Sequence, residues 1–275
     1  MAWQNIALFP EWNCDVPIYL ANHHRGFMHE WLRYQAFYLM EYWRMKHGED
    51  MLGRVWRESE SHEDPITAYK RIAGLSQDQF NAEVWESACH DITWDYPLGG
   101  YLRRIVDRQS EADRQTWYTH KTRLIAENGY YRSYPDTVTA DHGTEQNIAF
   151  TPHDYGYNAF QLSVPEGGTT VTAEFEGITG DSRYRTVGDS KAGWRFGFVG
   201  VQGSWTPVYG DMGEATGTAP QASVSFTVPG GGLKQLWFVV SGAPTRHEPH
   251  VWDDDVGNDE EYPYRVKFVN TEVKN

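Results

Sequence analysis

Cysteine is scarce in this 275-residue chain, which contains only Cys14 and Cys89. A single disulfide between the N-terminal segment and a helix, or two unpaired thiols, would both fit this count, so the redox compartment stays open. Basic residues are also in the minority, at 24 against 38 acidic ones, and the formal net charge is −14. Nucleic-acid binding needs clustered Lys and Arg, so no nucleic-acid partner is expected.

Long apolar runs are missing too. No stretch approaches the ~18 residues that a membrane-spanning helix needs, so no transmembrane segment is predicted. The first twenty residues, MAWQNIALFPEWNCDVPIYL, lack the basic, apolar and small-residue parts of a signal peptide. Aromatic side chains, in contrast, are abundant, with 12 Trp and 17 Tyr. Such rings serve either core packing or ligand platforms.

Helical periodicity dominates the first 115 residues. Apolar residues at three- and four-residue spacing predict one long helix over residues 26–48, which Gly48 ends. Asp64 followed by Pro65, and Ser76 followed by Gln79, are typical helix starts, the second being a capping box. The further predicted helices are Glu49–Glu58, Pro65–Ala73, Gln77–Asp91 and Tyr101–Arg108.

The composition changes after Gln115, where glycine becomes frequent and alternating β-branched or aromatic runs replace the helical spacing. Pro and Gly turns separate these runs, and several short strands with no helix between them are typical of a β-sandwich. We therefore predict an α+β protein of two domains: a helical bundle over residues 1–115 and a jelly-roll-like sandwich over residues 116–275. The predicted strands are Asn158–Val164, Thr169–Phe175, Trp194–Val201, Ala222–Val228, Leu233–Val240 and Tyr264–Val269.

One segment approaches a zinc-peptidase motif, at residues 29–33, His-Glu-Trp-Leu-Arg. A zinc helix needs His-Glu-x-x-His, because two histidines four residues apart share a face and the glutamate activates the bound water. Arg33 stands in place of the second histidine, so no zinc is expected in this chain. His247 and His250 enclose a proline that prevents helical presentation, and we expect both to face solvent. Serine-hydrolase, phosphate-loop and dinucleotide signatures are absent as well.

An acidic loop before the last predicted strand is a candidate calcium site. Oxygen ligands at close spacing around a glycine suit calcium, although they do not follow the EF-hand pattern. The alternative is a solvated acidic turn. The candidate ligands are Asp253, Asp255, Asn258, Asp259 and Glu260.

Aromatic residues of the β region could form a ligand platform. Alternation places Trp194, Phe196 and Phe198 on one face of their strand, as expected for a core. Trp205 falls in a turn between strands and is therefore the better candidate for exposure. The candidate ligand-binding residues are Trp205, Tyr209 and Trp252.

Three stretches resemble a known family: YWRMKHGEDMLGRVWRE at residues 42–58, residues 69–83 with their GLSQ turn, and YGDM with LWFVVSGAP at residues 209–212 and 236–244. They resemble a largely uncharacterised family of secreted bacterial and fungal proteins. That family is similar to gluzincin-type metallopeptidases and includes virulence and avirulence factors of plant pathogens. In it, a zinc helix and a downstream glutamate ligand precede the helices present here.

The resemblance implies that this chain is the C-terminal portion of a secreted metallopeptidase-like protein, with its zinc helix and signal peptide expected upstream. Whether the chain alone is an enzyme stays open, and without the zinc motif it is expected to be inactive. His24, His29 and Tyr34 are the candidates to face a substrate cleft. The partners implied are protein or glycan substrates at a cell surface or in the extracellular matrix. The alternative is a non-catalytic carbohydrate- or cell-wall-binding module on a helical scaffold.

Overall fold

The computed structural model describes residues 15–32, 37–97, 120, 122–136, 149–251, 253 and 255–274. Helices come first in this part of the chain: α1 (Asp15–Asn22), α2 (Phe37–His47), α3 (Met51–Glu58), α4 (Pro65–Ala73) and α5 (Gln77–Asp91). The strands follow: β1 (Leu124–Glu127), β2 (Tyr130–Ser133), β3 (Tyr157–Leu162), β4 (Thr170–Gly177), β5 (Gly193–Val201), β6 (Pro207–Thr216), β7 (Gln221–Thr227), β8 (Gln235–Gly242) and β9 (Tyr264–Val269). Within the described helices, no segment combines the length and apolarity that crossing a membrane requires.

The helix-start signals of α4 and α5 are confirmed. The Asp64 carboxylate accepts the backbone N–H groups of Ile66 and Thr67, and Ser76 forms a capping box with Gln79. These side chains satisfy N–H groups that have no partner inside the helix. The predicted helix Tyr101–Arg108 lies outside the described residues.

The predicted single helix over residues 26–48 is wrong in its first part. Residues 23–29 form turns and bends, residues 30–32 form a 3-10 turn, and the described α-helix spans Phe37–His47. The backbone N–H groups of His29 and Leu32 bond three residues back rather than four. The carbonyls of His23 and His24 accept N–H groups from the β region, which holds this segment in a non-helical path.

The strands form two antiparallel sheets, in the orders β1-β2-β9-β4-β7 and β3-β8-β5-β6. Apart from the extra edge strand β1, successive strands from β2 to β9 switch sheets at every step except β5 to β6, which pair with each other, and this is the order of a jelly roll. The predicted sandwich is therefore confirmed. Its interior is rich in aromatic rings, including Phe196 and Phe198, and Trp194 is also fully buried, as predicted. Strands β1, β2 and β6 were not predicted.

The second face of the four-stranded sheet is covered by helix α5. The Trp85 indole N–H donates to the Val239 carbonyl at 3.3 Å, and Asn81 donates to the Pro244 carbonyl at 2.9 Å. Trp237 and Val239 of β8 belong to the same apolar cluster as the side chains of α2 to α5. This apolar cluster thus contains side chains of both regions, and a separate cluster fills the interior of the sandwich. The predicted domain boundary at residue 115 lies outside the described residues and stays a prediction.

The segment after α1 packs backbone to backbone against the start of β3. The N–H groups of His153 and Tyr157 donate to the carbonyls of His24 and His23, both at 2.8 Å. A Cβ at Gly156 would lie 1.9 Å from the His24 carbonyl oxygen, so only glycine allows this approach. We call residues 23–30 the strap, because they fasten the helical region to the sandwich.

Replacing Gly156 by alanine tests the importance of this contact. The new methyl group meets backbone, which cannot rotate away, so Gly156→Ala should lower the free energy of unfolding by about 3 kcal/mol or more. Gly188→Ala is the matched control, since a Cβ there has no atom within 4 Å. Urea unfolding of both full-length variants measures the effect. Equal stability of the two would show that the strap does not depend on the close approach.

Candidate metal centre

Five side chains of the types that ligate metals converge where the strap meets the sandwich. They come from four segments: the strap, the residues directly after β2, the turn before β3, and the loop before β9. All five side chains are buried, with exposed fractions of 1% to 5%. They form two groups that share one histidine. The residues are His24, His29, Asp136, His153 and Asp259.

The first group consists of His24, Asp136 and His153. The Oδ2 atom of Asp136 lies 3.3 Å from Nε2 of His153 and 3.9 Å from Nε2 of His24. Neither ring nitrogen of His24 has a hydrogen-bond partner among the described residues, although both are buried. A neutral imidazole carries an N–H donor and an acceptor nitrogen, so leaving both unsatisfied costs about 1–3 kcal/mol per group.

The second group consists of His29, His153 and Asp259. Nε2 of His29 lies 3.2 Å from Oδ2 of Asp259 and 2.9 Å from an Nη1 atom of Arg25. The His29 ring also stacks on His250, with centroids 5.6 Å apart. Arg25 therefore lies next to Nε2 of His29, the atom through which His29 would bind a metal in this group.

A glutamate and an arginine hold the surrounding loops together. The Glu261 carboxylate accepts the backbone N–H groups of Asp136 and Arg185, each at 2.8 Å. The Arg185 side chain donates to the carbonyls of Asp136 and Asp259, at 2.9 and 2.8 Å. Its Nη2 atom lies 3.6 Å from the Asp136 carboxylate. Arg185 thus links the two chain segments that carry the Asp136 and Asp259 carboxylates.

Burial and neighbouring charges set the protonation of these groups. Burial holds the pKa of His24 well below its usual value, and the nearby Arg25 lowers it further. Burial also lowers the pKa of His29. For Asp136, burial alone would raise the pKa, but the contact with His153 and the positive charge of Arg25 lower the pKa on balance. His24 and His29 are therefore neutral while Asp136 is ionised, and these are the protonation states that metal ligation requires.

The donor set fits a transition metal of the zinc class. Zinc bound to nitrogen and carboxylate oxygen at about 2.0–2.2 Å in tetrahedral geometry places its ligand atoms about 3.3–3.6 Å apart. The spacings of 3.3 and 3.2 Å in the two groups agree with this value, and the 3.9 Å spacing at His24 requires a small shift. Imidazole nitrogen suits zinc, copper, iron or nickel, whereas calcium takes oxygen ligands.

Two of the three predicted cleft residues belong to this cluster. His24 and His29 lie in it, though as buried groups and not on an open cleft. Tyr34 lies outside the described residues. The prediction that His247 and His250 face solvent is wrong, because their side chains are 8% and 13% exposed. They contact Asp64 and Glu30, respectively, at 3.0 and 2.9 Å.

The predicted calcium ligands point in different directions. Asp253 accepts the Asn258 amide and the Asp255 backbone N–H, which is the pattern of a local turn. Asp259 is buried against His29, and Glu260 pairs with Lys191. Among the described carboxylates of this loop, only Asp259 belongs to a cluster of three or more candidate metal ligands.

The predicted aromatic platform is divided as well. Trp205 is half-buried against the helical core rather than exposed. Tyr209 is 39% exposed, but its hydroxyl donates to Asp95 at 2.8 Å and its ring stacks on His90. Trp252 and Cys14 lie outside the described residues, and Cys89 is buried in the helical core.

A second buried polar cluster lies between α1, α5 and β3. The Asp91 carboxylate accepts hydroxyl groups from Tyr96 at 2.6 Å, Tyr19 at 2.7 Å and Tyr157 at 3.1 Å. Burial raises the pKa of Asp91 to about 7, although the three hydroxyl groups oppose this by favouring the ionised form. The carboxyl group therefore holds a proton in the folded protein at pH values where it has lost it in the unfolded chain.

This raised pKa predicts that stability falls with rising pH. Between pH 4 and 7 the folded state binds a proton that the unfolded state has released, so each upward step in pH disfavours folding. Asp91→Asn removes the ionisation. Raising the pH from 5.5 to 7 should therefore increase the unfolding free energy of this variant, relative to that of the wild type, by about 1–2 kcal/mol. Urea unfolding at both values measures the difference. Parallel pH profiles for the two proteins would contradict the raised pKa.

The described architecture defines a jelly-roll sandwich fused to a helical layer through a buried cluster of potential metal ligands. The chain belongs to DUF6055, a family of unknown function whose family model matches residues 1–275. The comparison with curated proteins found no match.

Two solved structures show a distant likeness. One is xylanase 10C of Cellvibrio japonicus in complex with xylopentaose, at 11% identity and a TM-score of 0.25, covering 56% of this chain and 29% of that one. The other is a family GH115 4-O-methyl-α-glucuronidase with specificity for decorated arabinogalactans, also at 11% identity and a TM-score of 0.25. This match covers 88% of this chain and 30% of the glucuronidase chain. At these TM-scores neither likeness supports an argument about this chain.

Proposed function

We propose that this chain is a non-catalytic, metal-stabilised module, in which one transition metal ion of the zinc class joins the helical region to the sandwich. The observation that carries the proposal is the buried His24 imidazole, which has no hydrogen-bond partner among the described residues and lies beside Asp136. Together with His153, these side chains offer two nitrogens and one carboxylate oxygen. The ion satisfies groups that would otherwise destabilise the fold.

A fourth ligand would come from the second group, in which Asp259 and His29 lie near the shared residue His153. Asp259 is the better candidate, because Nε2 of His29 already contacts Arg25 at 2.9 Å. Asp259 does not form one group with both His24 and Asp136 within 4.8 Å, so a closed set of His24, Asp136, His153 and Asp259 would require Asp259 to move closer when the ion binds. Structural zinc sites are closed in this way, whereas catalytic ones keep a position for water or substrate.

Burial supports the structural role over a catalytic one. Each of the five clustered side chains is at most 5% exposed, so a substrate would have no direct path to an ion held there. The gluzincin resemblance remains a prediction, as does secretion, and neither enters this proposal. The proposed site uses none of the positions of a His-Glu-x-x-His helix.

The competing interpretation is a buried ion-pair network that needs no metal. Arg25 and Arg185 lie among the carboxylates of Glu30, Asp136 and Asp259, and they could neutralise part of the charge. Such networks can be stable when every member is hydrogen-bonded. The two ring nitrogens of His24 do not meet that condition within the described structure.

The metal content and melting temperature of the full-length chain distinguish the two interpretations. We expect about one equivalent of zinc by elemental analysis after purification in zinc-supplemented medium. Removing it with a chelator should lower the melting temperature, and zinc, but not calcium, should restore it. A ligand at a hundredfold excess over its Kd stabilises the native state by about 2.7 kcal/mol. His24→Ala and His153→Ala should abolish the response.

His247→Ala is the matched control, because His247 is also a mostly buried histidine but contacts Asp64 outside the cluster. It should keep the zinc-dependent rise in melting temperature. A chain that holds no zinc and melts at the same temperature with and without it would establish the ion-pair network instead. A response to calcium alone would favour the acidic loop.

A further inference from the structure

The outer face of the five-stranded sheet carries a polar row that crosses four strands at one register level. Arg132 of β2 pairs with Arg265 of β9, Arg265 pairs with Glu176 of β4, and Glu176 pairs with Gln221 of β7. Neighbouring strands lie about 4.8 Å apart, so the row extends about 14 Å. Tyr130 lies two residues from Arg132 along β2, on the same face.

Two adjoining grooves follow this row. The first has a volume of about 440 Å³ and the second about 330 Å³, both within the range of about 300–1,000 Å³ typical of ligand sites. Tyr130 and Glu176 line both grooves, so the two form one continuous depression. An elongated ligand lying along the row would contact both of these side chains.

The charges in the first groove balance. Its three arginines each have a carboxylate neighbour that also lines the groove: Arg132 with Glu127 at 3.4 Å, Arg183 with Asp181 at 2.6 Å, and Arg265 with Glu176 at 2.8 Å. An anionic ligand would meet the three carboxylates and a protein of net charge −14. A cation would meet the three guanidinium groups. The balance therefore favours a neutral ligand.

These ion pairs also hold the polar groups in fixed positions. Arg183 binds both carboxylate oxygens of Asp181, and Arg265 binds both oxygens of Glu176. The Arg265 guanidinium lies 4.8 Å from the centre of the Tyr130 ring, which orients that ring. A guanidinium has five N–H donors and a carboxylate about four acceptor positions, so each pair retains capacity for a ligand. Side chains that are already ordered lose little entropy on binding.

We propose that this depression binds a neutral oligosaccharide. Sugar hydroxyl groups both donate and accept, so they match alternating guanidinium and carboxylate groups, and the apolar face of a sugar ring can pack on Tyr130. The proposal rests on the non-catalytic role proposed above but not on the metal. It places binding at residues other than Trp205, Tyr209 and Trp252, the aromatic residues that the sequence suggested.

Calorimetric titration of the full-length chain with cellopentaose, laminaripentaose and mannopentaose tests the proposal. At least one of these neutral probes should bind with a millimolar or lower Kd, and an acidic probe, pentagalacturonate, should bind more weakly. Tyr130→Ala and Arg265→Ala should each weaken binding at least tenfold. Gln221→Ala, a change on an exposed strand position, provides a groove variant that is expected to fold normally.

The matched controls are Tyr209→Ala and Arg246→Ala, which remove an exposed tyrosine and an exposed arginine outside the grooves. Both should bind like the wild type. Failure of all three neutral probes, preference for the acidic probe, or loss of binding in Tyr209→Ala would each overturn the proposal. Titrating metal-loaded and chelated protein in parallel separates the oligosaccharide proposal from the metal proposal. In each form that folds, the groove variants should bind the oligosaccharide more weakly than the unchanged protein in the same form.

Discussion

The contact between the strap and the start of β3 determines how the two regions fit together. The His23 and His24 carbonyls accept N–H groups from Tyr157 and His153, so these peptide groups cannot continue the preceding helix. A Cβ at Gly26 would likewise lie 2.2 Å from the Asp154 carbonyl oxygen, so glycine is needed on both sides. Because the strap is fixed in this way, the imidazoles of His24 and His29 face the sandwich and not solvent.

The buried cluster follows from this docking, and so does its energetic cost. Carboxylates and imidazoles removed from water destabilise a fold unless partners compensate them. Asp136 and Asp259 come from loops of the sandwich, while His24 and His29 come from the strap. An ion held between them would therefore act as a cross-link between regions distant in sequence. The shared apolar core under α5, with Trp85 against Val239, adds a second connection at the same interface.

Most of the fold could be predicted from local sequence signals. Two kinds of signal depend only on residues a few positions apart, namely the capping residues Asp64 and Ser76 and the alternation in β5. The structure confirms both. The helix prediction for residues 26–48 was wrong at its start because the strap has helical periodicity, whereas its carbonyls accept hydrogen bonds from N–H groups at the start of β3. Strand β6 was missed because two glycines and a proline weaken its alternation.

The candidate site was much less predictable. His24 and His29 drew attention as histidines near a zinc-like motif, but Asp136 and His153 carry no local signal. Their role depends on loops that meet only in the folded chain, and a single sequence does not show which ones meet. His250 was expected to face solvent because Pro249 excludes a helix, yet an irregular loop buries it against Glu30 as effectively. Arg33, which excludes a zinc-peptidase helix, says nothing about a site assembled from distant segments.

An X-ray absorption spectrum at the zinc edge tests the metal centre most directly, because it reports the ligand atoms themselves. The full-length chain loaded with one equivalent of zinc should show a first shell of nitrogen and oxygen at about 2.0–2.2 Å, without sulfur at 2.3 Å. Outer-shell scattering should correspond to two imidazole rings, from His24 and His153. A sulfur shell, or an oxygen-only shell without imidazole scattering, would contradict a centre built from these residues.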